Sequence, residues 1–183
     1  MKKSKAKQEF TLIAPKVFGS KEIGTTFAAE PSQLIGRRVV VSAVDLTNNF
    51  SKYYFKFVLA ISEVDGNNAF TEIVGGECLR DYISRMVVRR VRRIDTVQNL
   101  ETKDGIKIRV KGITIIGRRV KSSIQKRVRA HVSKMIEEFV AHATFDEFIK
   151  TIISDEMKKR ILEQVSKTYP LRFFEFRKFE ILK

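Results

Sequence analysis

Most of the net positive charge of this chain lies in one segment. Residues 80–134 hold 17 of the 36 Lys and Arg residues and only four acidic residues, which gives +13 of the total net charge of +15. A folded segment with this imbalance repels itself unless a polyanion neutralises it, and its potential attracts phosphate groups. The sequence therefore predicts a fold that binds a polyanion, and nucleic acid fits that description best.

Length and composition limit the class of protein further. A chain of 183 residues forms one medium domain or two small ones, and 14 phenylalanines among many aliphatic residues can fill a core. The single cysteine, Cys78, excludes an internal disulfide and a cysteine zinc cluster, which suits a reducing cytoplasm. The basic start is followed only by a short apolar stretch ending at Pro15, so we expect neither secretion nor association with a membrane.

Periodicity predicts an α+β fold in which a hairpin followed by a helix occurs twice. Alternating and aromatic stretches predict strands, and apolar spacings of three and four predict helices. In the first half, strands are predicted at 38–44, 53–64 and 69–74, with a break at Gly75-Gly76 and a helix over 77–88. In the second half, strands are predicted at 91–102 and 106–116 with a bulge at Gly112, then three helices beginning near Ser122, Thr144 and Ser154, and a last strand at 171–182.

The predicted architecture has two parts. The N-terminal half is a β-hairpin or barrel-like sheet, and the C-terminal half is a second hairpin with three helices and the final strand. The expected domains are a basic N-terminal arm, 1–9, and a single compact domain, 10–183, with a division into two lobes near residue 89 as the alternative.

Paired arginines are the strongest candidates for a functional site. Gly36-Arg37-Arg38 and Gly117-Arg118-Arg119 share one local pattern, and adjacent side chains in a strand point to opposite faces, so some of these arginines must project from turns. Guanidinium groups bind phosphate oxygens through two parallel hydrogen bonds, and a helix N-terminus near 122 attracts the same anion. The predicted RNA-binding residues are Lys2, Lys3, Lys5, Lys7, Arg37, Arg38, Arg89, Arg90, Arg92, Arg93, Arg118, Arg119, Lys121, Lys126, Arg127 and Arg129.

No set of residues assembles a catalytic or metal site. Cys78 has neither histidine near it in sequence, and His131 and His142 lack the spacing of a metal-binding pair. The acidic pairs 146–147 and 155–156 fit helix starts. The aromatic stretch 172–179 lacks the glycines of an RNA-recognition motif and is better explained as core. We therefore expect no enzyme activity, no metal and no cofactor.

Several blocks, taken in order, resemble one known family. They include 14–18 with 23–26, 34–38 leading to 44–46, 55–57, 64–66 before 79–81, 102–105 before 109–110, and the ending 169–172 with 177–178. Together they are similar to the small-subunit ribosomal protein family S-three-a-e, also called S-one-e, of archaea and eukaryotes. The absence of tryptophan, with Phe10 near a common tryptophan position, and the absence of long basic tails are departures, and the short form resembles archaeal members.

The resemblance implies a structural, cytoplasmic constituent of the small ribosomal subunit. It implies binding to the small-subunit RNA at the platform, near the messenger RNA exit and the 3′ end of the ribosomal RNA, beside the S-eleven family protein. Messenger RNA near the exit is a further expected contact. The alternatives are a free RNA-binding regulator and a nucleic-acid-processing enzyme that uses Cys78 or the acidic pairs. A scaffold for other proteins, through the nearly neutral C-terminal third, is compatible with the first reading.

Overall fold

The computed structural model describes residues 6–182, which form eight β-strands, five α-helices and short 3-10 turns. The chain divides into two compact units, Met1–Gly76 and Glu77–Lys183. Strands and helices occur in separate stretches of each unit, so the predicted α+β class is confirmed. Among the described residues no helix has the length and apolar character needed to cross a membrane.

The first unit contains five strands and one short helix. The elements are β1 (Gln8–Ile13), β2 (Glu22–Ala28), β3 (Arg38–Ser42), α1 (Ala43–Thr47), β4 (Phe55–Asp65) and β5 (Asn68–Cys78), whose last two residues pass into the second unit. The strands pair in the order β2-β1-β5-β4-β3, with β1 parallel to β5 and antiparallel to β2. A buried cluster that includes Phe10, Leu12, Leu34 and Ile61 forms its core.

The second unit is a three-stranded antiparallel sheet with four helices. Its elements are α2 (Arg80–Met86), β6 (Arg92–Glu101), β7 (Lys107–Ile116), α3 (Ser122–His142), α4 (Phe145–Ser154), α5 (Glu156–Ser166) and β8 (Phe173–Ile181). The strand β7 lies between β6 and β8. The ring of Phe148 on α4 packs edge-on against Phe176 and Phe179 of β8, with ring centroids 6.0 and 5.6 Å away. The second hairpin, the three later helices and the final strand are therefore confirmed.

Some predicted boundaries in the first half are wrong. Gly75 and Gly76 do not end a strand, because both are buried within β5, where pairing outweighs the poor strand propensity of glycine. The helix predicted from residue 77 consequently starts only at Arg80. The helix α1 was not predicted, although Ser42 followed by Asp45 is a helix-start pattern; the Ser42 hydroxyl accepts a hydrogen bond from Val44 N at 3.3 Å.

The helix-start predictions in the second half have mixed outcomes. Thr144 and Glu147 form the predicted capping box at α4. The capping box predicted from Ser122 and Gln125 is wrong, because the helix begins one residue earlier with Lys121 as N-cap, and the Gln125 amide donates to Val120 O instead. Ser154 is the last residue of α4 rather than a cap of α5, and Asp155 in a left-handed conformation joins the two helices.

The bulge predicted at Gly112 belongs to the neighbouring strand. The β7–β8 register shifts between Lys111 and Gly112, but the additional residue is Arg177 of β8, and the pairing of β7 with β6 is continuous. Glycine is required at position 112 for a different reason. A Cβ there would lie 2.7 Å from Thr96 Oγ1 and 3.2 Å from the Phe174 ring. Close packing of three strands under the helices thus explains this glycine.

We expect Gly112→Ala to lower the free energy of unfolding by about 1–3 kcal/mol, because the new methyl group overpacks the buried sheet. Gly117→Ala is the matched control, since its Cβ would meet no atom closer than 4.0 Å, the Cδ of Arg172. Urea denaturation of the two variants and the parent chain measures both effects. Equal stability of the two variants would contradict this account of Gly112.

Candidate nucleic-acid interface

Three strand ends bring distant basic residues of the second unit together. The Cα of Arg92 at the start of β6 pairs with Ile116 at the end of β7, which leads directly into Gly117-Arg118-Arg119. The backbone amide of Arg172, just before β8, donates to Ile115 O at 2.8 Å. One end of the β6–β7–β8 sheet therefore carries the arginines that precede β6, those that follow β7 and Arg172.

Turns at this end let neighbouring arginines all reach solvent. Arg89 and Arg90 lie in a turn before β6, and Arg90 adopts a left-handed conformation with φ +71°. Arg118 and Arg119 lie in a bend after β7 rather than in the strand. All four residues are exposed. The prediction that some of the paired arginines project from turns is confirmed.

The first half of α3 adds cations beside the same sheet end. Lys121 is its N-cap residue, and the first turn holds no acidic residue that would neutralise the positive end of the helix dipole. Lys126 and Arg127 are exposed within the first two turns. The Arg129 guanidinium donates to Asp95 O at 3.1 Å, which fixes this part of α3 against β6.

We call this set the hairpin basic cluster. It comprises Arg89, Arg90, Arg92, Arg93, Arg118, Arg119, Lys121, Lys126, Arg127, Arg129 and Arg172. The only acidic residue within 89–95 and 117–129 is Asp95, which is bound by Arg93 at 2.9 Å. Eight of the cluster's side chains make no ion pair or hydrogen bond with any other described residue: Arg89, Arg90, Arg92, Arg118, Arg119, Lys121, Lys126 and Arg127. Their charge is thus available to an external anion.

Several cations elsewhere in the second unit are paired with carboxylates of the protein. Glu180 on β8 is bound by Lys178 at 3.1 Å and Lys111 at 3.2 Å; the hydrogen bond from Lys178 lowers the pKa of Glu180, and Lys111 lowers it further. Lys158 lies 2.7 Å from the buried Glu175 carboxylate. Burial is the largest influence on Lys158 and opposes its charge, but the hydrogen bond to Glu175 and the negative charges of Glu175 and Asp155 together outweigh burial and raise the pKa of the ammonium group. Eight members of the hairpin basic cluster differ in having no such partner among the described residues.

Arg172 is a member of the cluster that was not predicted from the sequence. The aromatic stretch around it was assigned to the core, and Phe174, Phe176 and Phe179 are indeed buried. Phe173 is the exception, with 38% of its surface exposed and the Arg172 guanidinium carbon 5.4 Å from its ring centroid. Arg118 and Arg172 line one shallow cleft. Strand register, which the sequence does not display, places Arg172 there.

The other predicted RNA-binding residues lie outside the hairpin basic cluster. Arg37 and Arg38 belong to the first unit and are exposed, and the Arg37 guanidinium donates to Thr26 Oγ1 at 2.8 Å and Phe27 O at 3.2 Å. Lys7 is exposed next to β1, which begins at Gln8, within the predicted arm. Lys2, Lys3 and Lys5 lie outside the described residues.

The residues considered for catalysis have structural surroundings. Cys78 is buried in β5, and His131 Nδ1 lies 3.2 Å from the Thr168 hydroxyl. Glu147 completes the capping box, and the hydrogen bonds from Thr144 lower its pKa. Within residues 6–182, no three His, Cys, Asp or Glu side chains are grouped so that they could hold a metal ion.

An α+β fold with a solvent-facing arginine cluster and few nearby acids is typical of the class of polyanion-binding proteins. Comparison with known proteins identifies the family. The whole chain, residues 1–183, matches the Ribosomal S3Ae family. Curated relatives named small ribosomal subunit protein eS1 include those of Methanothermobacter thermautotrophicus, 36% identical over 98% of this chain and 92% of the relative, and of Methanopyrus kandleri, 37% identical over 99% and 88%.

A third relative of the same name, from Sulfurisphaera tokodaii, is 35% identical over 99% of this chain and 94% of its own length. The chain therefore belongs to the Ribosomal S3Ae family. The resemblance stated from the sequence blocks is confirmed. So is the prediction of a ribosomal protein rather than an enzyme, because the relatives are named as ribosomal subunit proteins.

Proposed function

We propose that this protein is a structural constituent of the small ribosomal subunit and binds its RNA through the hairpin basic cluster. Family membership supports the ribosomal role in translation. The observation that carries the RNA-binding surface is the group of eight exposed cations without described partners at one end of the β6–β7–β8 sheet. Phosphate groups are the complementary ligand of such a surface.

Binding would proceed by neutralisation of backbone phosphates. Each guanidinium group can donate two parallel hydrogen bonds to one phosphate, and each contact releases condensed counterions from the RNA. Arginines on turns before β6 and after β7 would contact separate phosphates. The charge of Lys121 and the positive end of the α3 helix dipole would attract a further phosphate together. The cluster has no base-edge readers at a known spacing, so recognition would follow the shape of folded RNA.

We extend the proposal to the predicted location and partners. The protein would lie in the cytoplasm on the platform of the small subunit, near the messenger RNA exit and the 3′ end of the ribosomal RNA. The S-eleven family protein would be a neighbour, and messenger RNA would pass close by. Arg37, Arg38 and the arm residues Lys2, Lys3, Lys5 and Lys7 would contribute further phosphate contacts. These assignments follow from the family resemblance and from charge.

A free RNA-binding regulator would need the same surface, so the basic cluster alone does not separate the two functions. Sedimentation of a cell extract distinguishes them, since a subunit protein moves with the small subunit and a regulator stays in the light fractions. We expect the protein in the small-subunit fractions at low salt. Recovery only from light fractions would favour the regulator.

The affinity for ribosomal RNA should depend steeply on salt. If six to ten phosphate contacts form, the association constant falls by about 10³- to 10⁵-fold between 50 and 200 mM monovalent salt, by analogy with duplex DNA. Filter binding or fluorescence anisotropy with a platform fragment of small-subunit RNA measures this slope. A salt-insensitive affinity would count against phosphate neutralisation as the mechanism.

A further inference from the structure

The hairpin basic cluster contains a cleft that two distant parts of the chain form together. Residues 116–118, where β7 ends, and residues 170–172, just before β8, line this cleft. The backbone hydrogen bond from Arg172 to Ile115, 2.8 Å long, joins the two parts. The cleft has a volume of about 380 Å³, which lies within the range of small-molecule binding sites. We call it the Arg118–Arg172 cleft.

The lining of the cleft combines apolar side chains with two guanidinium groups. Pro170 is exposed and Leu171 is half-buried, and both arginines are exposed. Arg118 makes no ion pair or hydrogen bond with another described residue. Such a lining complements a ligand that has both an apolar face and a negative charge. A nucleotide has both, whereas a phosphate group alone has only the charge.

Neighbouring groups position the Arg172 side chain. Its guanidinium carbon lies 5.4 Å from the centroid of the Phe173 ring, which is the distance of a cation–π contact. Its Cδ lies 4.0 Å from the position that a Cβ on Gly117 would take, so the stem of the side chain packs near the end of β7. The Phe173 ring covers one side of the flat guanidinium group. A second flat group can stack on the other side, and RNA bases stack on arginine as they do on aromatic rings.

The charge around the cleft favours an anionic occupant. No Asp or Glu occurs in residues 105–136 or 164–174, the two stretches that contribute the lining, and the first stretch holds ten Lys and Arg residues. The next acidic residue along β8, Glu175, is buried, and Lys158 lies 2.7 Å from its carboxylate. Because the cleft lies within the surface proposed to bind ribosomal RNA, that RNA is the polyanion in reach of it.

We infer, on the basis of the proposed function, that the Arg118–Arg172 cleft binds one unpaired nucleotide of the small-subunit RNA. The base would lie against Pro170 and Leu171 and stack on the Arg172 guanidinium, and Arg118 would bind the adjoining phosphate. A base within a duplex is enclosed by its pair and its stacked neighbours, so only an unpaired base can enter. Stacking accepts any base, and the cleft therefore recognises a loop or bulge of the folded RNA rather than its sequence.

The variant Phe173→Leu tests the stacking, because it removes the ring beside Arg172 and leaves every charge in place. We expect the affinity of the full chain for purified small-subunit ribosomal RNA to fall about tenfold at 0.15 M salt in filter binding. The dependence of this affinity on salt should keep the slope of the parent chain, since no phosphate contact is lost.

Phe70→Leu is the matched control, since Phe70 is 40% exposed and Phe173 is 38% exposed. Its affinity should stay within twofold of the parent. Equal affinities of the two variants, or a changed salt slope for Phe173→Leu, would overturn the nucleotide site. A parent chain whose affinity is insensitive to salt would instead count against the proposed function.

The structure of the intact small subunit, determined by electron cryo-microscopy, tests the occupant without any variant. We expect an unpaired base within about 4 Å of the Arg172 guanidinium, with its phosphate at Arg118. A phosphate without a base, a paired base, a side chain of a neighbouring protein or solvent in the cleft would overturn the nucleotide site. Phosphates at the other arginines of the hairpin basic cluster would support the proposed function in each of these cases.

Discussion

Replacing Arg118 and Arg119 together with glutamate should abolish incorporation into small subunits. Both side chains are exposed in the bend after β7 and have no described partner, so their loss costs the fold little. Each reversal removes a phosphate contact and adds repulsion, and we expect the affinity for ribosomal RNA to fall on the order of 100-fold at 0.15 M salt. Filter binding measures the affinity, and sedimentation of cell extracts measures incorporation.

A control at the other end of the same hairpin isolates the effect of position. Lys103 and Lys107 flank the turn between β6 and β7, about 30 Å from the arginines along ten strand residues. Lys103→Glu with Lys107→Glu imposes the same change of charge, and its affinity should stay within about tenfold of the parent. Circular dichroism of the arginine variant should match the parent spectrum. A lost spectrum would show instead that these arginines hold the fold together.

Phe148→Ala should produce the largest loss of stability from a single substitution considered for this chain. Phe148 is fully buried on α4, and its ring packs against two aromatic rings of β8. Truncation leaves a cavity between helix and sheet, and we expect the free energy of unfolding to fall by about 3–5 kcal/mol. Thermal and urea denaturation followed by circular dichroism give the value.

Phe50→Ala is the matched control for the same chemical change. Phe50 lies in a short turn before β4 with 81% of its surface exposed, so its removal should alter stability by no more than about 0.5 kcal/mol. A loss below 1 kcal/mol for Phe148→Ala would contradict the helix–sheet packing described for the second unit. A comparable loss of stability for both variants would show that the cost of removing a phenyl ring does not depend on how far the ring is buried.

Local patterns predicted much of the second unit. Thr144 followed by Glu147 identified the start of α4, and the inward positions Phe145, Phe148, Ile149 and Ile152 are all buried as expected. These signals succeed because capping and helical periodicity depend on residues three and four apart. The hairpin turn at 103–105 was similarly predictable from its Lys-Asp-Gly sequence. Its glycine, Gly105, adopts the left-handed conformation with φ +77° that such a turn requires.

Features that depend on pairing between distant strands were not visible in the sequence. The strands β1 and β2 were missed, because their short sequences lack a regular apolar alternation and are stabilised by pairing with each other and, for β1, with β5. The continuation of β5 through two glycines has the same cause. At the candidate site the charges were evident, but the contribution of Arg172 follows from the β7–β8 register.

At Arg90 the left-handed backbone conformation would favour glycine, whereas the positive charge of the cluster requires arginine. An L-residue in this conformation costs about 1–2 kcal/mol, a penalty that glycine escapes. Glycine at position 90 would remove this backbone cost, but it would also remove one guanidinium group from this end of the hairpin. In the proposed complex with RNA, the guanidinium group of Arg90 would gain a phosphate contact that glycine cannot make.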